Sequence, residues 1–192
     1  NVSNGARITH QTGQVQTPSA SPDGSEVVYL SDNGGHVNLW VAKVDGSSAR
    51  QITFERDPAV VIGIPVWSPT GDRIVMIRSQ GGVNSEWLIN PDGSSQRELV
   101  PRGAGAAWSR DGKWLYYYDY PAGKYLRKVS VDGGPPMIVR ADNASRPAIA
   151  PDGTTLYYVV ELPVVTGGSD LEFRVAKPED GPSRLLTRIP VR

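Results

Sequence analysis

Short apolar runs rich in β-branched and aromatic residues recur along the chain, at 27–30, 74–77, 114–118 and 156–160, each set off by Gly, Pro, Asp and Ser. No stretch keeps an apolar period of 3.6 residues, so the pattern predicts strands throughout and no helices. The punctuation between the runs is itself periodic. Ser21-Pro22-Asp23-Gly24, Ser68-Pro69-Thr70-Gly71, Ser109-Arg110-Asp111-Gly112 and Ala150-Pro151-Asp152-Gly153 begin 47, 41 and 41 residues apart. A second series runs out of phase with the first: Asp45-Gly46, Asp92-Gly93, Asp132-Gly133 and Asp180-Gly181, at spacings of 47, 40 and 48. Two interleaved series sharing one period define four repeated units.

Each unit resolves into four short strands. Strand a precedes the first turn (65–67, 106–108), and strand b is the apolar run after it. Strand c follows a Gly-rich or polar loop (39–44, 87–90, 126–131, 173–176), and strand d follows the Asp-Gly turn (50–53, 97–100, 137–139, 184–187). Pro presets φ at the second turn position and Gly accepts a positive φ at the last. Four-stranded units of roughly 40 to 50 residues are the mark of β-propeller blades. The expected fold is therefore all-β, a β-propeller or a contiguous part of one. Its blades are read at 10–53, 54–100, 101–139 and 140–192, with residues 1–9 as the last strand of a preceding blade. That extra strand rests on Asn4-Gly5-Ala6-Arg7-Ile8-Thr9, which reads like strand d. The strand count favours an open or truncated array over a four-bladed ring with one strand added.

The residues that carry the repeat also resemble a known family. Ser21-Pro22-Asp23-Gly24, Ser31-Asp32-Asn33-Gly34-Gly35, Leu39-Trp40 and Asp45-Gly46 through Thr53, echoed by Ile64-Pro65-Val66-Trp67-Ser68-Pro69, are similar to the TolB-type, WD-repeat-like propeller repeat. The third and fourth units follow it more loosely. The resemblance implies a bacterial, periplasmic or secreted protein that binds a protein or peptide partner. It also leaves open an accessory propeller of a larger serine peptidase or amidohydrolase, with the chemistry outside these residues, or a metal-dependent lyase of sugar acids.

Composition narrows the chemistry. Twenty Lys and Arg balance twenty Asp and Glu across 192 residues, a balance unlike that of nucleic-acid binders. Cysteine is absent, which removes disulfides, zinc–thiolate sites and thiol catalysis. No run of 18 apolar residues is present, so membrane insertion is not expected. The chain opens at Asn1 with no basic-then-apolar leader, so location is left to the resemblance.

The repeated aspartates Asp23, Asp45, Asp92, Asp111, Asp132 and Asp152 read as scaffold, accepting backbone N–H bonds in their turns. By the family's geometry the d–a and b–c loops form the opposite rim, and their residues differ from unit to unit. Variable loops on a rigid frame are where binding tends to sit. The candidate binding residues there are His10, Gln14, Asp32, His36, Arg56, Asp57, Arg78, Arg102, Tyr120 and Arg146. His10 and His36 could be read as metal ligands, but a site needs about three or four ligands and the chain has only two histidines. No Gly-x-Ser-x-Gly elbow, P-loop or dinucleotide fingerprint occurs. No metal, cofactor or catalytic group is expected. Self-association, where it occurs, is expected to complete the ring through residues 4–9 and the last unit. Trp40, Trp67, Trp87 and Trp108 repeat with the units and are expected to pack between neighbours, as are the strand b tyrosines.

Overall fold

The computed structural model describes residues 13–119, 125–164 and 168–191. It divides into two compact units, Asn1–Glu98 and Leu99–Arg192. Among the described residues every regular element is a strand. In the first unit β1 (Val15–Ala20), β2 (Glu26–Ser31), β3 (Asn38–Lys43) and β4 (Ala49–Gln51) make one sheet. A second sheet comprises β5 (Val60–Trp67), β6 (Ile74–Gln80), β7 (Val83–Ile89) and β8 (Arg97–Val100), the last strand crossing the unit boundary. The second unit holds β9 (Ala104–Trp108), β10 (Trp114–Tyr118), β11 (Leu126–Ser130) and β12 (Met137–Arg140). Its other sheet is β13 (Ala144–Ile149), β14 (Leu156–Val164), β15 (Gly168–Ala176) and β16 (Ser183–Val191). All four sheets are meanders in chain order, the all-β, four-strand repeat that the pattern predicts. The extra strand expected over 4–9 lies outside the described residues.

The apolar runs form strands because both of their faces are needed. Val28, Tyr29, Val75 and Met76 are each at most 1% exposed, although neighbours along a strand point to opposite faces. In the first unit Val28, Leu39 and Val41 pack with Ile74, Met76 and Trp67 in one core shared by the two sheets, with Trp87 against it. In the second unit Tyr116 and Leu126 pack with Leu156 and Tyr158 in the same manner. Fully burying one such side chain contributes about 1.5–3 kcal/mol. One strand b ring departs from the expectation: Tyr157 is 43% exposed. Its ladder neighbours Ala148 and Val175 are too small to cover it.

Strand lengths differ from the sequence pattern for physical reasons. β5 and β9 are longer than expected, and the first strand of each sheet is broken by a bulge: register slips between Gln16 and Ser19, Gly63 and Val66, and Ser145 and Ala148, and opposite β9 between Tyr116 and Tyr118. Thr17, Ile64 and Arg146 sit there with φ of 45°, 47° and 50°, each just before a proline. Proline cannot donate to a ladder and is confined to edge strands and bulges. In β9 Gly105 takes the position with φ 70° and Ala106 replaces the proline. The Gly81-Gly82 pair, part of the Gly-rich connection expected between strands b and c, is a two-residue hairpin with φ of 59° and 78°. Two positive φ values are what the tight hairpin turn requires, so β6 and β7 run on to Gln80 and Val83.

The repeated turns owe their stability to a carboxylate. Asp23 Oδ1 accepts the Ser21 hydroxyl at 2.6 Å and the Ser25 N–H at 3.0 Å, and Ser21 Oγ accepts the Glu26 N–H at 2.9 Å. Asp111 repeats the arrangement with Ser109 and Lys113, and Asp152, with Ala150 at the serine position, accepts the Thr154 and Thr155 N–H groups and the Thr155 hydroxyl. The second unit of the repeat carries Thr70 where the others have Asp, and Asp72 supplies the carboxylate instead, taking Ser68 Oγ at 2.9 Å. The Ser21 hydroxyl, then the Ser25 N–H, pull the Asp23 pKa from 3.8 to about 2. Serine hydroxyls likewise lower Asp45, Asp92 and Asp111.

Two outcomes are expected. Trp67→Ala should lower unfolding free energy by about 3–5 kcal/mol in denaturant titration, since the ring is 6% exposed; wild-type stability would mean that the ring is not part of the core. A carboxyl whose folded pKa is depressed stabilises the fold above its unfolded pKa and loses that contribution as pH falls. Melting temperature should therefore drop as pH falls from about 3.8 toward 2, and Asp23→Asn should flatten that limb. Superimposable acid limbs for the two proteins would contradict the assignment.

Candidate functional site

An antiparallel meander separates its connections. In the first sheet the β1–β2 and β3–β4 turns share one end, tied by Val44 N–H to Ser25 O at 3.0 Å, and the β2–β3 and β4–β5 connections share the other. In the third sheet Val131 N–H reaches Lys113 O at 3.0 Å in the same way. We refer to these as the turn end and the loop end.

The loop end of the first unit is organised by Asn38, which is 2% exposed. Its Nδ2 donates to His36 O at 3.2 Å and to Glu55 O at 3.1 Å. Its Oδ1 accepts the Thr53 hydroxyl at 2.9 Å and the Glu55 N–H at 2.8 Å, and Thr53 Oγ1 accepts the Leu39 N–H at 2.8 Å. One buried amide thus fixes both connections. From that base the Glu55 carboxylate accepts the N–H groups of Arg56 and Asp57, each at 3.0 Å, and takes Arg78 Nη2 at 3.1 Å. The Asp57 N–H above all, with the Arg56 N–H and Arg78, holds the Glu55 carboxyl below its ordinary range. The Arg78 guanidinium lies 5.6 Å from the centre of the Trp87 ring and donates to Gln80, which reaches Asp57 at 3.5 Å. A charged, hydrogen-bonded lattice with fixed side chains results.

The sequence-predicted residues fall into three groups. Glu55 and its loop gather Arg56, Asp57 and Arg78, while Gln14 is joined to Asp32 by its N–H at 2.7 Å and His36 lends its carbonyl to Asn38. Arg102 and Arg146 belong to the second unit and both are exposed. His10 and Tyr120 lie outside the described residues. Two assignments change. Arg78 and Arg146, expected in loops, stand in β6 and β13, because the Gly-Gly hairpin lengthens β6 and the proline bulge is absorbed into β13. The role of Thr53 is not legible in the sequence, where it enters only as the end of strand d and of the repeat pattern.

Asn38→Ala should destabilise the chain by about 2 kcal/mol in denaturant unfolding, since a buried partner is removed from groups that water cannot reach. A change within experimental error would mean that these loops are held by other contacts.

Comparison with known proteins places this geometry. Residues 1–133 match the family model of the TolB beta propeller domain, more than half of the chain. A 47-residue segment is 43% identical to the Tol-Pal system protein TolB of Anaeromyxobacter dehalogenans, covering 24% of this chain and 10% of that one. The crystal structure of TolB from Acinetobacter baumannii superposes with a TM-score of 0.71 at 16% identity over 91% of this chain, and this chain spans 44% of its length. An oligogalacturonate lyase from Vibrio parahaemolyticus superposes equally well, with a TM-score of 0.72 at 15% identity over 94% of this chain and 56% of the lyase. At such identities the structural likenesses speak for the fold alone, whereas the family match covers the repeat residues themselves: the chain belongs to the TolB β-propeller domain family.

Proposed function

We propose that the chain is a non-catalytic module that holds a protein or peptide partner at its loop end. The observation that supports this most directly is the contrast between the two ends. Turn ends repeat one Asp-Gly chemistry in every sheet, whereas loop ends present a different set in each: Gln14 with Asp32, then Glu55, Asp57 and Arg78, then Arg102, then Arg146. Repetition is what a scaffold needs and variation is what recognition needs. The Glu55–Arg78 lattice offers donors and acceptors of both signs, already ordered by Asn38, so little side-chain entropy remains to be lost on binding. Mixed charge suits a peptide or protein surface better than a single small anion.

The Anaeromyxobacter relative is a Tol-Pal system protein, which is consistent with a partner of this kind. A periplasmic or secreted location is part of the same proposal and rests on that resemblance.

A photo-crosslinking amino acid at the exposed position 56, compared with one at the exposed position 132 in the β11–β12 turn, tests the reading in cells. Position 56 should yield a discrete protein adduct that Arg78→Glu weakens, and position 132 should not. Adducts from 132 alone, or none from either, would overturn it. Adducts confined to a catalytic domain of the same polypeptide would replace it with an accessory role in a larger hydrolase.

A further inference from the structure

A pocket of about 270 Å³ opens at the turn end of the first unit, between the β1–β2, β5–β6 and β7–β8 turns. Pro22, Asp23, Glu26, Trp67, Gly71 and Pro91 line it. The repeat supplies an internal comparison, because the second unit has the same seam. Arg110 stands at the turn position of Pro22, and Glu179 stands at that of Pro91, one residue before Asp-Gly. There the seam is closed by the chain's own charges. Arg110 Nη1 donates to Pro151 O in the next sheet, and Glu179 takes the Tyr116 hydroxyl and Lys128 Nζ. Lys128 in turn lies 5.2 Å from the Trp114 ring, and Trp114 occupies the place of Glu26. The turns approach alike in both seams. A Cβ at Gly71 would lie 3.7 Å from Pro22 Cδ, and one at Gly153 would lie 3.5 Å from Arg110 Cβ.

Two proline rings thus replace an arginine and a glutamate, and the seam in the first unit is left open. Its charge is also unbalanced. Glu26 is paired with Arg50 at 2.9 Å, and Arg50 donates further to Pro91 O at 3.2 Å. Asp23 receives only hydroxyl and amide donors, and among the described residues no cation forms an ion pair with it. Its Oδ2 carries one bond, from Ser25 Oγ at 2.9 Å, so further acceptor capacity remains.

We propose that this pocket receives an arginine side chain from a basic segment of a protein partner, filling in trans the place beside the turn that Arg110 takes in cis in the second unit, where its guanidinium donates to the Pro151 carbonyl. A planar guanidinium can lie against the Trp67 and proline rings while donating to the Asp23 carboxylate. The Glu26–Arg50 pair, already neutral, frames the site without competing for the cation. The site is at the opposite end from the loop-end surface, so either reading can fail without the other.

The test uses the 192-residue chain and two peptides, acetyl-Gly-Arg-Gly-amide and its norleucine counterpart, followed by 1H–15N correlation spectra. The arginine peptide should cause saturable shifts at the Trp67 indole, Ser25 and Gly71, and the norleucine peptide should not. Asp23→Asn should weaken the interaction about tenfold, the loss of one charge-assisted hydrogen bond. Pro22→Arg, which installs the side chain of the second unit, should abolish it while leaving the folded spectrum intact. Equal shifts with both peptides, no shifts with either, or unchanged binding by folded Pro22→Arg would overturn the proposal.

Discussion

A four-stranded sheet with apolar residues on both faces cannot cover itself, and the architecture of this chain follows from that constraint. Val28 and Tyr29 point to opposite sides of β2, yet both are buried. The first sheet must therefore be joined by the second, whose Ile74 and Met76 complete its core. In the second unit Tyr116 and Leu126 meet Leu156 and Tyr158 for the same reason. Stability in such an array is a sum of sheets and the seams between them, which is why the seams carry so much of its specific chemistry.

The repeat was legible because turn chemistry is local. Asp, Ser and Gly at fixed offsets act on backbone groups within a few residues, as the Asp23 and Asp111 bonds do. Strand lengths are less legible, because a proline that looks like a boundary marks a bulge inside a strand, and a Gly-Gly pair reads equally as a loop or as the tight hairpin that Gly81-Gly82 makes. The clamp built on Asn38 joins residues 15 and 17 positions apart, Thr53 and Glu55, and no local pattern announces it. The pocket at the turn end was hidden for another reason. Its aspartate was rightly read as a turn residue, and only position-by-position comparison of Pro22 with Arg110 shows what the turn leaves room for.

The two ends of the sheets divide the work. At the turn end the repeated aspartates accept backbone groups of their own turns, from sheet to sheet, and give the frame its regularity. At the loop end the Glu55 carboxylate also closes its own turn, but it carries Arg78 outward as well and so links frame to surface. A carboxylate thus serves as an internal brace in one place and as a foundation for a surface in the other.

The last strand described, β16, has a different consequence. Along its nine residues Leu185, Leu186, Ile189 and Val191 are 44–47% exposed, and among the described residues it is an outer strand of its sheet. Such an edge can recruit a strand from another chain, the first step of ordered aggregation. Arg184, Arg188 and Pro190 interrupt the apolar run. Arg188 is paired with Glu172 and Asp170 on β15, so Arg184 supplies the charge that repels a second copy and Pro190 withholds a donor, the devices that keep a greasy margin from becoming a template.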